Sequence, residues 1–118
     1  MFKLFKKKPA EFRKLVPPMG YCFATDEITK GGKRVGYMYR DIVKKIKAVD
    51  SGWRFFSGEE TDEYANDPKN VSMYEVNTIA NYDSDIIPFL GSGYGTAFGR
   101  NSKTGKFIKE DLRPPPDE

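Results

Sequence analysis

Three short runs in the first half of the chain constrain its fold more than any other feature of the sequence. Residues 20–25 (GYCFAT), 34–40 (RVGYMYR) and 53–56 (WRFF) are dense in aromatic and β-branched side chains, and glycine, serine or polar turn residues bound each of them. That pattern predicts strands. In the second run Val35, Tyr37 and Tyr39 alternate with Gly36, Met38 and Arg40, so the two sets face opposite sides of a sheet. The polar stretch 26–32, ending in Gly31-Gly32, reads as a turn that sets the second strand antiparallel to the first.

The middle of the chain carries helix signals. Ser57-Gly58-Glu59-Glu60 and Ser72-Met73-Tyr74-Glu75 both have the form of a capping box, in which the serine oxygen and the glutamate satisfy each other's backbone amides. Pro68 keeps the first helix brief. Met73, Val76, Ile79 and Ala80 recur at helical spacing after the second. Ile86-Ile87-Pro88-Phe89-Leu90 reads as a short turn packed on the core, and Gly91, Gly93 and Gly95 as a flexible loop. Residues 96–100 and 106–109 read as closing strands. Strands, then two short helices, then strands predict a single α+β domain with a mostly antiparallel sheet. We expect that domain at 19–111, behind a basic N-terminal arm at 1–18 and ahead of a proline-rich tail at 112–118. Residues 41–50 fit either a helical turn or a loop.

Composition narrows the function. Among 118 residues there is no histidine and one cysteine, Cys22. Imidazole-based nucleophile systems and imidazole metal ligands are thereby excluded, and no internal disulfide is possible. Cys22 sits in an apolar strand and reads as a buried core thiol. No apolar run approaches the ~20 residues of a membrane span, and the N-terminus lacks the apolar stretch of a signal peptide. Gly91-Ser92-Gly93-Tyr94-Gly95 lacks both the spacing and the Lys-Ser/Thr ending of phosphate loops. Glu59, Glu60, Asp62 and Glu63 have donors that suit a hard cation, but no EF-hand loop is readable, and carboxylates are favourable at a helix start without any metal. Asp83 and Asp85 lack a partner that would make them an acid–base pair. No cofactor and no catalytic constellation is expected. The aromatics around Trp53 and Tyr37 suit stacking on nucleic acid in type, but lack the RNP motif and read as core.

Charge is unevenly spread. Residues 1–50 hold 13 basic and 5 acidic side chains, residues 51–118 hold 7 and 12, and the net charge is +3. The basic pole is densest at Lys3, Lys6, Lys7, Lys8, Arg13 and Lys14. The acidic pole runs from Glu59 to Asp85, with Lys69 its one base. Such a chain attracts partners of either sign.

Four blocks in order, GYMYR at 36–40, DSGWRFFSG at 50–58, YEVNTI at 74–79 and DIIP at 85–88, give the chain a resemblance to immunity family thirty-three of bacterial polymorphic toxin systems. The resemblance covers roughly residues 19–109. It implies a small cytoplasmic α+β protein, not an enzyme, that neutralises a cognate protein toxin by direct binding. The basic arm and the insert Lys44-Lys45-Ile46-Lys47 depart from the family pattern. Toxins that attack nucleic acid have basic clefts, which a carboxylate-rich surface can occupy. The expected partner-binding residues are therefore Glu59, Glu60, Asp62, Glu63 and Asp67, helped by Asp83 and Asp85, with Tyr64 and Tyr74 as aromatic anchors. The alternative is a nucleic-acid or anionic-surface binder acting through the Lys-rich arm, with salt-sensitive affinity. Nothing in the sequence selects a dimer over a monomer.

Overall fold

The structure, a computed structural model, describes residues 12–42 and 50–112. The lysines at 3, 6, 7 and 8, the insert at 44–47 and most of the proline-rich tail lie outside the described residues, and so does most of the ambiguous segment 41–50. The chain order is β1 (Tyr21–Thr25), α1 (Asp26–Thr29), β2 (Tyr37–Arg40), β3 (Asp50–Phe56), α2 (Asp62–Asn66), β4 (Val71–Glu75), α3 (Val76–Tyr82), β5 (Ala97–Arg100) and β6 (Phe107–Glu110). Two 3-10 turns, Pro68–Asn70 and Ser84–Phe89, precede β4 and follow α3. The strands form one six-stranded sheet in the order β4-β1-β3-β2-β5-β6. All neighbours are antiparallel except β1 and β3. This is the α+β class that the sequence predicts.

One register row explains the core. Ser72, Ala24, Phe55, Met38, Phe98 and Lys109 lie side by side across all six strands. Their face also carries Cys22 and Trp53, and packs against Ile28 of α1, Val76, Ile79 and Ala80 of α3, and Ile86 and Leu90 beyond it, all buried. The Trp53 indole N–H donates to the Leu90 carbonyl at 3.2 Å, so the largest core side chain leaves no orphan donor. Val16 also reaches this core, because the extended segment ahead of it is strapped to α3. Asn77 accepts from the Leu15 and Val16 amides and Asn81 from the Arg13 amide, while both amide side chains donate to the Arg13 carbonyl.

Three expectations are corrected. The first two strands are not a hairpin: β3 lies between them, parallel to β1 and antiparallel to β2. The polar stretch after β1 forms α1 instead of a simple turn, and it buries Ile28. Ser72-Met73-Tyr74-Glu75 is not a capping box but β4, whose backbone pairs with the otherwise open edge of β1 from Tyr21↔Glu75 to Thr25↔Val71. A whole strand of ladder hydrogen bonds outweighs one cap. The helix begins at Val76 without a side-chain cap, and Met73 leaves the helical face for the sheet. The earlier box makes hydrogen bonds from both its ends, with Ser57 Oγ accepting from the Glu59 amide at 3.0 Å and Glu60 accepting from the Ser57 amide at 2.7 Å, but it starts no helix. The helix starts at Asp62, capped by Thr61 Oγ1 accepting from the Tyr64 amide.

Two glycines are required. A Cβ at Gly36 would stand 2.0 Å from the Ser57 carbonyl oxygen, and Gly52 has φ +89° with the Asp41 carbonyl 2.9 Å from its missing Cβ. The glycine loop at 91–95 is tied by Arg40, which donates to the Ser92 carbonyl at 2.8 Å and stacks 4.3 Å from the Tyr94 ring centroid. Cys22 is buried as expected, and burial pushes its thiol up to about 12. Cys22 is therefore expected to resist a thiol reagent in the native protein and to react on unfolding, and fast labelling of native protein would contradict this placement.

Candidate functional site

The acidic segment hangs from the C-terminal end of β3 and folds against α1. Its first part is bound internally. Glu60 accepts from Thr25 Oγ1 at 2.6 Å and from the Ser57 and Gly58 amides at 2.7 and 3.0 Å. Burial works against the charged form of Glu60, but these hydrogen bonds outweigh it and hold its pKa below the ordinary value. Ser57 Oγ donates to the Glu27 carboxylate. Lys33 bridges Glu27 and Glu59, at 3.4 and 2.7 Å. Because the folded pKa of Glu60 is lowered, its contribution to stability is complete above its unfolded value near 4.5 and fades as pH falls through the folded value. Glu60→Gln is expected to cost roughly 1 kcal/mol at pH 7 and less at pH 3, measured by urea unfolding. An equal cost at both pH values would remove the charge from this account.

The second part points outward. Asp62 and Glu63 are exposed in the first turn of α2, and among the described residues neither meets a counter-ion. Asp67 is exposed and accepts the Lys69 amide at 2.9 Å. Tyr64 is half-buried between these carboxylates and α1. Desolvation raises its phenol pKa first, and the negative charges of Asp26, Glu27 and Glu60 raise it further. Asp26 adds to this field, since its Oδ1 is buried without a hydrogen-bond partner while Oδ2 meets Lys30 at 3.4 Å.

The structure separates Asp83 and Asp85 from that group. Asp83 is 2% exposed. It accepts from the Val35 amide at 2.9 Å and from Arg100 Nη2 at 2.7 Å. Asp85, mostly exposed, meets Arg100 Nη1 at 3.0 Å. Tyr74 lies on the core face and donates to Thr29 Oγ1 at 3.0 Å. Glu59, Asp62, Glu63, Tyr64 and Asp67 are thus the expected residues that share an outward surface, with Glu60 as their internal brace. Sequence reasoning missed Asp26 and Glu27, which are remote in sequence and arrive through α1.

Among the described residues no group of three or more acidic or cysteine side chains is placed to hold a metal ion, and no helix is long and apolar enough to cross a membrane. Fold and surface together define a small α+β domain with helices on one described sheet face and an acidic corner in which Asp62 and Glu63 meet no counter-ion among the described residues. The family model of the immunity protein Imm33 domain matches residues 22–111, and the chain belongs to that family, which places it among the immunity proteins of polymorphic toxin systems. No curated protein and no solved structure gives a match.

Proposed function

We propose that this chain protects the producing cell by binding its cognate toxin directly, in the cytoplasm and without chemistry of its own, and that residues 59–67 meet a cationic surface of that toxin. The observation that carries this reading is the pair of exposed carboxylates at Asp62 and Glu63, which meet no counter-ion among the described residues and stand beside Asp67. Charges held in this way steer a basic partner and pair on contact. Tyr64 supplies an aromatic anchor. Asp85 offers a more distant contribution, whereas Asp83 serves the interior.

The test is co-expression with a toxin domain sought among the genes that flank this chain's own. Restored growth and co-elution of the two proteins are expected. Continued killing, or protection with no complex formed, would overturn the reading.

A further inference from the structure

Among the described residues the sheet is covered by helices on one face only. On the opposite face one register row reads Met73, Phe23, Arg54, Tyr39, Ala97 and Glu110 from β4 to β6. In the next, Phe56, Tyr37, Gly99 and Ile108 adjoin from β3 to β6. An uncovered antiparallel face ordinarily carries polar side chains. This one carries four half-buried rings, Phe23, Tyr37, Tyr39 and Phe56, and its apolar character reaches both edges, where Met73 is 59% and Ile108 52% exposed. A patch of this kind marks an interaction surface.

The rings are held before anything binds. Tyr39 and Phe56 stack with centroids 5.9 Å apart and planes 10° from parallel, and Tyr37 lies 6.0 Å from Tyr39 and 6.1 Å from Phe56. Covering them would cost little side-chain entropy. Arg54 lies 4.7 Å from the Phe23 centroid, and Asp50 takes both its terminal nitrogens at 3.0 Å, so its charge is matched inside the fold. A shallow groove of about 260 Å³ runs between these rings and α2, where Ala65 and Asn66 form its wall. Asp62 stands one helical turn ahead of both, on their side of α2.

We infer that this uncovered face is where the toxin seats, and that it receives a toxin segment presenting an arginine or lysine flanked by apolar side chains. The apolar groups cover Phe23, Tyr39 and Phe56, and the cation reaches Asp62 across the groove. The inference rests on the proposed neutralisation by binding. The charge pattern selects this occupant. Among the described residues the floor's one cation, Arg54, is already paired and Asp62 on the rim meets no counter-ion, so the patch favours a cationic polypeptide over the phosphates of a nucleic acid. Two copies meeting ring to ring about a two-fold axis would bring two acidic rims into one interface with no unpaired cation from the groove.

The probe is the toxin domain used for co-expression, titrated calorimetrically against the full chain. Tyr39→Ala and Met73→Lys are each expected to weaken binding at least about tenfold, as loss of an aromatic anchor and insertion of a like charge do. Leu15→Ser, on the helix side, is expected to bind as the parent does. Because Met73 is exposed, Met73→Lys keeps the fold, and matching melting curves verify this. A photo-crosslinker at position 73 is expected to capture the toxin, and one at position 15 is not. If the wild-type chain binds toxin but both face variants bind equally well, the inference fails while neutralisation by binding stands. If the wild-type chain binds no toxin, the proposed function itself fails. A dimer of the free chain that Met73→Lys dissociates, or single-stranded DNA binding that Tyr39→Ala abolishes, would assign the face elsewhere and overturn the inference.

Discussion

Arg100→Met is expected to destabilise the protein by about 3–5 kcal/mol, the range for removing one partner of a buried ion pair. The Arg100 side chain is 6% exposed and that of Asp83 3%. Besides pairing with Asp83 and Asp85, Arg100 donates to the Val35 carbonyl at 2.9 Å and the Gly105 carbonyl at 2.8 Å, and its guanidinium lies 4.4 Å from the Phe107 ring centroid. One side chain therefore joins the entry to β2, the end of α3 and the β5–β6 hairpin. Methionine fills much of the volume but leaves the Asp83 carboxylate charged and buried. The cost is a large part of the roughly 5–15 kcal/mol available to a domain. Adding Asp83→Asn should recover some of it, since the amide removes the stranded charge. Thermal or urea unfolding of the two variants checks the pair. A single variant within about 1 kcal/mol of the parent, or a double variant less stable than the single, would refute this account.

The second large effect concerns function. Asp62→Lys with Glu63→Lys is expected to weaken toxin binding about a hundredfold or more, taking about 1.5 kcal/mol for each close charge pair lost. Protection in the co-expression assay should fall with it. Both residues are exposed, so folding should suffer only the loss of favourable charge at a short helix start, a few tenths of a kcal/mol. The parent's affinity should decline with salt more steeply than the variant's. Affinity within twofold of the parent would take α2 out of the interface. Comparison with Met73→Lys then separates the two halves of the surface, one ionic and one apolar.

Local chemistry made much of the fold readable. The alternation in RVGYMYR puts Tyr37 and Tyr39 opposite Met38 and Arg40, as the sheet has them, but Val35, which it groups with the tyrosines, lies ahead of β2 and is buried in the core with Met38. Val76, Ile79 and Ala80 announced α3 by their spacing, and all three are buried. What the sequence concealed were pairings between distant segments. No local signal at Ser72-Met73-Tyr74-Glu75 reports that β1 has an open edge to fill, so the residues that look like a cap became β4. The parallel β1–β3 contact is equally silent, because it depends on a crossover and not on a turn. Aromatic content signals a core without showing which face of the sheet it covers. Trp53 and Phe55 lie in the core, whereas Tyr37, Tyr39 and Phe56 belong to the uncovered side. The carboxylates were visible as a cluster, but burial sorted Asp83 and Glu60 from Asp62 and Glu63, and a linear sequence does not display burial.

The placement of β1 also governs when the molecule can come into being. Its neighbours are β3 and β4, so Tyr21 waits for Asp50 on one side and Glu75 on the other. During synthesis β1 has no strand to pair with until Asp50–Phe56 has left the ribosome, and its second edge stays open until Val71–Glu75 follows; closing such distant contacts is slow.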